Sequence, residues 1–328
     1  MTLRTPLSLS VLIASATLAL VGCGGSSTDT NHTPATETRD LTLDFRAINS
    51  TVSPSVDMTD AVCSTTLTAV GTQGTDAAIA YMAFYVSDVR LLTSSGDEVA
   101  VTLDEDQVSQ EQGIALVDFR DITSACGGTG TAKAVWNDVT GTYTHTEGTT
   151  YTGLKYQLGL PAEINHAELE TAGVLSSEVS MSWKWLAGYR YLRMDLMPAG
   201  GVLQADGTTS ASLWTVHLGA TGCSNAAENG GTEDRSAPPT GGVCSTPNLS
   251  EVSLDNFDPD SSKIAVDIAA LFAGNNLTAD AGGASGCMSG STDPECAEVF
   301  ARLGIEHATQ GDEFATAVQQ VVFSTLKD

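Results

Sequence analysis

Four histidines lie beyond residue 40 of the 328-residue chain: His145, His166, His217 and His307. Imidazole is the usual protein ligand for copper or zinc outside the cytoplasm, so these four set what metal chemistry is open to the chain. His307 sits near a C-terminal segment of helical pattern and reads as a surface residue. His145 lies in a polar, Thr-rich stretch and reads the same way. His166 follows Asn165 in a turn after a strand pattern. His217 lies mid-strand in Leu213–Gly219, where Leu213, Thr215 and His217 share one face while Trp214 and Val216 share the other. His166 and His217 are the candidate ligands, set against the ordinary reading of a lone strand histidine as a satisfied core residue. Met181, Trp183 and Trp185 stand two apart, which on a strand puts them on one face; core packing is the common role of such a pair of indoles.

Other chemistry finds little support. The chain has no G-x-S-x-G, no H-E-x-x-H and no P-loop. It has no C-x-x-C-H, so it carries no c-type haem of its own. The run Asp255–Asp260 lacks the glycine and closing glutamate of an EF-hand and reads as a solvated acidic loop. With 40 acidic residues against 14 basic ones and a net charge of −26, the field repels nucleic acid and anionic membrane surfaces and favours cations or basic partners.

The elements that must position these residues are mostly strands. Strand patterns cover 41–49, 79–92, 98–103, 114–119, 151–159 and 213–219, and the aromatic segment 179–197 reads as strand with a bulge or turn at Gly188. Residues 127–150 suggest a hairpin and loop, and 224–260 are mostly loop. Residues 263–273 read as a strand running into a short helix, 275–296 as a cysteine-bearing loop, and 297–308 and 311–326 as helices. The class is mainly β, sandwich-like, with disulfide-stapled loops and a short helical C-terminal part.

The N-terminus places the chain. Arg4 precedes an apolar stretch from Leu7 to Val21, followed by Leu20-Val21-Gly22-Cys23, a lipobox behind a signal-type core too short to span a bilayer. Residues 1–22 are expected to be a signal peptide, Cys23 the lipidated residue, 23–40 a polar tether, and 41–328 a single domain. Gly24 after the cysteine points to the outer membrane, with the lipid the only membrane attachment. Six further cysteines, Cys63, Cys126, Cys223, Cys244, Cys287 and Cys296, are an even set in an oxidising compartment, hence disulfides. Six allow fifteen connectivities; pairing by proximity along the chain favours Cys63–Cys126, Cys223–Cys244 and Cys287–Cys296.

Several separated segments together resemble one family: DFRAIN (44–49), YVSDVRLL (85–92), YTGLKYQLGLPAEINH (151–166), MSWKWLAGYRYLRMD (181–195), HLGATGC (217–223) and GCMSGSTDPECAEVFARLG (286–304). The chain looks like the MbnP-like copper-binding proteins, also called the metallo-mystery-pair four-Cys-motif family, over about 41–305. The resemblance implies a non-enzymatic protein encoded beside an MbnH-like dihaem enzyme of the cytochrome c peroxidase/MauG class. That partner oxidises a tryptophan to kynurenine, which then helps hold copper. Residue by residue, the implied tryptophans are Trp183 and Trp185, and the implied histidines His166 and His217. The implied four-Cys set is Cys223, Cys244, Cys287 and Cys296, with Cys63 and Cys126 an extra bridge. Kynurenine offers an aniline nitrogen and a ketone where indole offers only an N–H donor. Two imidazoles and a neutral nitrogen suit Cu(I). Met181 and Met194 are soft neighbours or core. Arg190 and Arg193 pair locally or face the partner. The rival readings are a metal-free cell-surface interaction or adhesion domain and a secreted hydrolase.

Overall fold

The computed structural model describes residues 33–328 apart from 54, 123–125, 127–132, 167–172, 307–318 and 328. The signal segment, Cys23 and His307 therefore lie outside the described residues. Residues Ala35–Asp328 form one compact unit.

Its strands are β1 (Thr36–Asn49), β2 (Val56–Asp57), β3 (Thr66–Val70), β4 (Thr75–Thr93), β5 (Glu98–Leu103), β6 (Gln110–Glu111), β7 (Ile114–Asp118), β8 (Asp138–Thr146) and β9 (Tyr151–Leu158). They continue as β10 (Leu192–Pro198), β11 (Val202–Leu203), β12 (Ser210–Ala211), β13 (Trp214–Leu218), β14 (Ser250–Asp255), β15 (Lys263–Asp267), β16 (Gly286–Cys287) and β17 (Phe323–Leu326). Among the described residues four short α-helices join them: α1 (Ala162–Asn165), α2 (Gly173–Ser177), α3 (Ile268–Phe272) and α4 (Cys296–Arg302).

The 19-residue strand β4 is the spine. Along one edge it pairs first with β10 and then with β9; along the other it meets β3, β7 and β5 in turn. Its middle, Tyr81–Val86, is buried on both faces, which explains an apolar run without alternation. From this spine the sheet curls through β5, β8, β1 and β15 to β17. The hydroxyl of Thr325 on β17 then donates to the carbonyl of Asp255 at the end of β14, the partner of β9, at 2.8 Å. The result is a half-barrel of mixed strand order whose interior is filled by rings. Phe45, Phe84, Phe323 and Tyr156 contact one another edge-on around a cycle, with centroids 5.5–5.8 Å apart. A second limb, β10–β13–β16, extends from the other edge of β4.

The disulfides join Cys63 to Cys126, Cys223 to Cys244 and Cys287 to Cys296. Asp267 caps α3 at its N-terminus, accepting from the Ala270 N–H, where the apolar strand 263–267 turns into the helix.

Four elements differ from the reading by pattern. β1 begins at Thr36, inside the polar stretch expected to be tether, because residues 36–40 pair with the Thr-rich end of β8. Within the loop-rich region 224–260, Ser250–Asp255 is a strand held by β9. The described end of the segment 311–326 is a strand rather than a helix, since Val266 and Ala265 of β15 offer it a ladder. The largest difference is at the tryptophans. Residues 182–190 are not a strand but a tight loop, closed by a single bridge between Ser182 and Tyr189. Arg190 donates to the carbonyls of Ser180 and Ser182, and Lys184 O accepts from the amides of Ala187 and Gly188. These bonds satisfy locally the groups that a strand would offer to a neighbour.

Candidate metal centre

The outer face of the second limb carries a buried polar row. In the antiparallel register Arg193 stands opposite His217 and Asp195 opposite Thr215. Side chains two apart share a face, so Arg193, Asp195, Thr215 and His217 lie together. Asp195 is 1% exposed and takes bonds from both directions. Its Oδ2 accepts from Arg193 Nε at 2.9 Å, and its Oδ1 lies 2.9 Å from His217 Nε2.

That contact fixes the imidazole. A carboxylate only accepts, so Nε2 carries the proton and Nδ1 the lone pair. Nδ1 is buried and has no hydrogen-bond partner; among the described residues no other histidine nitrogen is so placed. Burial pushes the His217 pKa down, with Asp195 opposing, so the ring is neutral near pH 7. The backbone around it is held too: Ser289 Oγ donates to the His217 carbonyl at 2.8 Å and accepts from the Gly219 amide at 2.9 Å.

The loop 178–190 lies over this row. The Tyr81 hydroxyl meets Ser180 Oγ at 2.6 Å, and the guanidinium carbons of Arg120 and Arg193 stand 3.7 and 3.9 Å from the centre of the Tyr81 ring. Arg120 pairs with Asp118 and with Glu178, which in turn caps Ser180. Trp183 then presses its six-membered ring on Gly219: a Cβ there would stand 2.5 Å from Cζ3. The glycine is needed for this close approach, just past the end of β13 and two residues beyond His217. Trp183, Arg190, Cys223, Glu233, Arg235 and Met288 are among the residues lining a pocket of 640 Å³ beside it. Burial and the neighbouring Arg193 bring Arg190 down to about 10.

His166 lies outside this loop and meets it at Trp185. It caps the one-turn helix α1, which Pro161 starts after β9. Its Nδ1 donates to the Trp185 carbonyl at 3.2 Å, and the Trp185 indole N–H donates to the His166 carbonyl at 2.8 Å. The lone pair is therefore on Nε2. It accepts from Asn165 Nδ2 at 3.1 Å, an orientation fixed because Asn165 Oδ1 takes the Tyr189 amide. Cys244 Sγ stands 3.3 Å from the same nitrogen. Burial lowers the His166 pKa as well. The donor atoms of His166, Cys223 and Cys244 all lie within 4.8 Å of one another.

The two tryptophans thus part company: Trp183 reaches the strand of His217, and Trp185 the ring of His166. No hydrogen bond joins the two histidines among the described residues; the loop 183–189 and the Cys223–Cys244 bridge stand in the contacts between them. Met181 and Met194 are fully buried in the core. Met288, unremarked in the sequence, lines the pocket and its sulfur lies 3.7 Å from Thr215 Oγ1. Asp195 was equally unremarked; only the pairing of β10 with β13 reveals it. His145 is buried against Tyr151, remote in topology on β8.

A family model described as MbnP matches residues 38–289. The solved structure of MbnP from Methylosinus trichosporium superposes with a TM-score of 0.70 at 27% identity, covering 88% of this chain and 98% of that one. No curated protein gives a match.

Proposed function

Since the chain belongs to the MbnP family, we propose that it is an exported, lipid-anchored carrier that binds copper and catalyses no reaction. The observation that carries the reading is His217. A buried, neutral imidazole with Nε2 bonded to a carboxylate and Nδ1 left without a partner is how proteins prepare a histidine ligand: the second bond fixes the tautomer and raises the basicity of the donor nitrogen. His166 has the same division of roles, with Nδ1 committed to a carbonyl and the lone pair on Nε2.

The candidate copper donors are His217 with a kynurenine made from Trp183 and, across the loop, His166 with one made from Trp185. Copper is the cargo. Neutral nitrogen donors in a buried setting favour the cuprous ion. Trp183 is the better candidate for conversion, because it lines the pocket and touches the strand of His217, whereas the Trp185 N–H is already bonded to a carbonyl. An MbnH-like dihaem enzyme supplies the oxidising equivalents; the indole loses one carbon and gains one oxygen. Three disulfides and the Cys23 lipobox support an address outside the cytoplasm. No described helix is long and apolar enough to cross a membrane.

Peptide mass spectrometry of the full chain, produced with and without the dihaem partner, tests the reading. The expected result is conversion of Trp183 only when the partner is present. Unchanged peptides for both Trp183 and Trp185 in active co-expression refute maturation of this chain.

A further inference from the structure

The Cys223–Cys244 bridge differs from the other two in where it sits. Cys63, Cys126, Cys287 and Cys296 are all buried, whereas Cys223 and Cys244 are part-exposed and Cys223 lines the 640 Å³ pocket. Cys244, the other end, lies against the lone pair of His166. A reductant entering from the pocket therefore meets Cys223, and the sulfur released is the one beside an imidazole. The released sulfur faces the His166 lone pair, so a cation entering between them meets two donor atoms at once.

We propose that Cys223, Cys244 and His166 form a redox-gated metal site: closed as the disulfide, and open to a thiolate-preferring d10 cation, Zn²⁺ or Cu⁺, when a dithiol reduces the bridge. The reductant is a dithiol of the thioredoxin-like class. Its thiolate attacks Cys223 Sγ, the Cys223–Cys244 bond breaks, and Cys244 departs as thiolate next to His166 Nε2. The second thiol of the reductant then displaces Cys223. Two electrons and two protons pass to the pair, and the reductant leaves as its own disulfide. The cation next displaces the two thiol protons to solvent. The two sulfurs and the imidazole nitrogen lie within 4.8 Å of one another with the bridge intact, and on reduction they supply three of the four ligands of a common zinc or cuprous arrangement. The pocket on the Cys223 side leaves room for water or an incoming ligand in the fourth place. Asn165 must release Nε2, one neutral hydrogen bond given up for metal–ligand bonds. The site shares His166 with the copper reading but uses neither His217 nor a modified tryptophan.

The test uses the full chain produced without the dihaem partner, so that its indoles are intact. It is treated with dithiothreitol, desalted under nitrogen and mapped for free thiols. Co²⁺ alone then reports sulfur ligation through its near-ultraviolet charge-transfer band, and Zn²⁺ alone gives an affinity by competition with a chromophoric chelator. Expected are thiols at Cys223 and Cys244 first, the Co²⁺ band, and one Zn²⁺ gained on reduction. His166→Ala should weaken Zn²⁺ binding more than tenfold. Alkylating the reduced wild-type chain before metal addition should abolish the band, as should the double substitution Cys223→Ser/Cys244→Ser. Three results overturn the proposal: reduction appearing first at another bridge, a reduced chain without the band, or a band that survives alkylation. None depends on whether the tryptophans mature, so failure here and failure of the copper reading are separable.

Discussion

At the scale of single residues the site is defined by which nitrogen of each imidazole keeps its lone pair. Asp195 commits Nε2 of His217, the Trp185 carbonyl commits Nδ1 of His166, and burial keeps both rings neutral. Burial is the first cause of each downward shift from 6.5, and it links the rings to stability. As pH falls below about 6.5 the unfolded chain takes up protons before the folded one. Stability contributed by the two neutral rings is then full above that pH and declines as pH drops through the folded-state values. Urea unfolding midpoints should therefore fall between about pH 7 and about pH 5, and His166→Ala/His217→Ala should flatten that fall. A wild-type slope that the double substitution leaves intact contradicts this account. Sequence reading reached His166 and His217 as candidates through the family resemblance, in the segments ending INH and beginning HLGATGC. It did not reach Asp195, whose role exists only through cross-strand register, nor Met288, which arrives from a distant loop.

At the scale of elements, the loop 182–190 decides which indole goes where. Its alternation of aromatic residues imitates a strand, and that pattern alone does not distinguish a pleated ladder from a loop crossing a sheet. The difference lies in Arg190 and Glu178, which saturate the loop's backbone from within. Where apolar patterning and a local cap agree, as in 263–272, the strand and helix were both legible. Where a strand depends on a distant partner, as at Ser250–Asp255 and Phe323–Leu326, they were not. The contact between Trp183 and Gly219 gives a sharp test of the loop's seat. A Cβ at Gly219 would meet Trp183 Cζ3 at 2.5 Å and the Tyr189 carbonyl at 2.8 Å. Gly219→Ala should lower unfolding free energy by about 1–3 kcal/mol and red-shift tryptophan emission as Trp183 is displaced into water. An unchanged midpoint and spectrum would show that the indole does not rest there.

At the scale of the molecule, a curled sheet closes on an aromatic core while its second limb and loops build the site outside it. The bridges divide the same way. Cys63–Cys126 ties loops 63 residues apart across β4, whereas Cys223–Cys244 sits at the pocket. Replacing Cys63 and Cys126 by serine should cost about 2–4 kcal/mol, because it frees a long loop in the unfolded chain, with copper affinity at pH 7 preserved in the fraction that remains folded. Loss of affinity without loss of stability would place that bridge in the site instead. Mainly-β architecture and the cysteine pairs were readable from the chain, because alternation and an even cysteine count are local signals, whereas the start of β1 at Thr36 was not, since it depends on pairing with β8. The curl and the convergence of loops were not, since they arise from one strand that pairs along both edges.

The central claim rests on the lone pair of His217, and a copper competition measurement addresses it directly. The matured full chain, titrated with Cu(I) against a chromophoric chelator, should lose more than tenfold in affinity, about 1.4 kcal/mol, on His217→Ala. Equal affinity in the wild-type and His217→Ala chains would contradict the assignment.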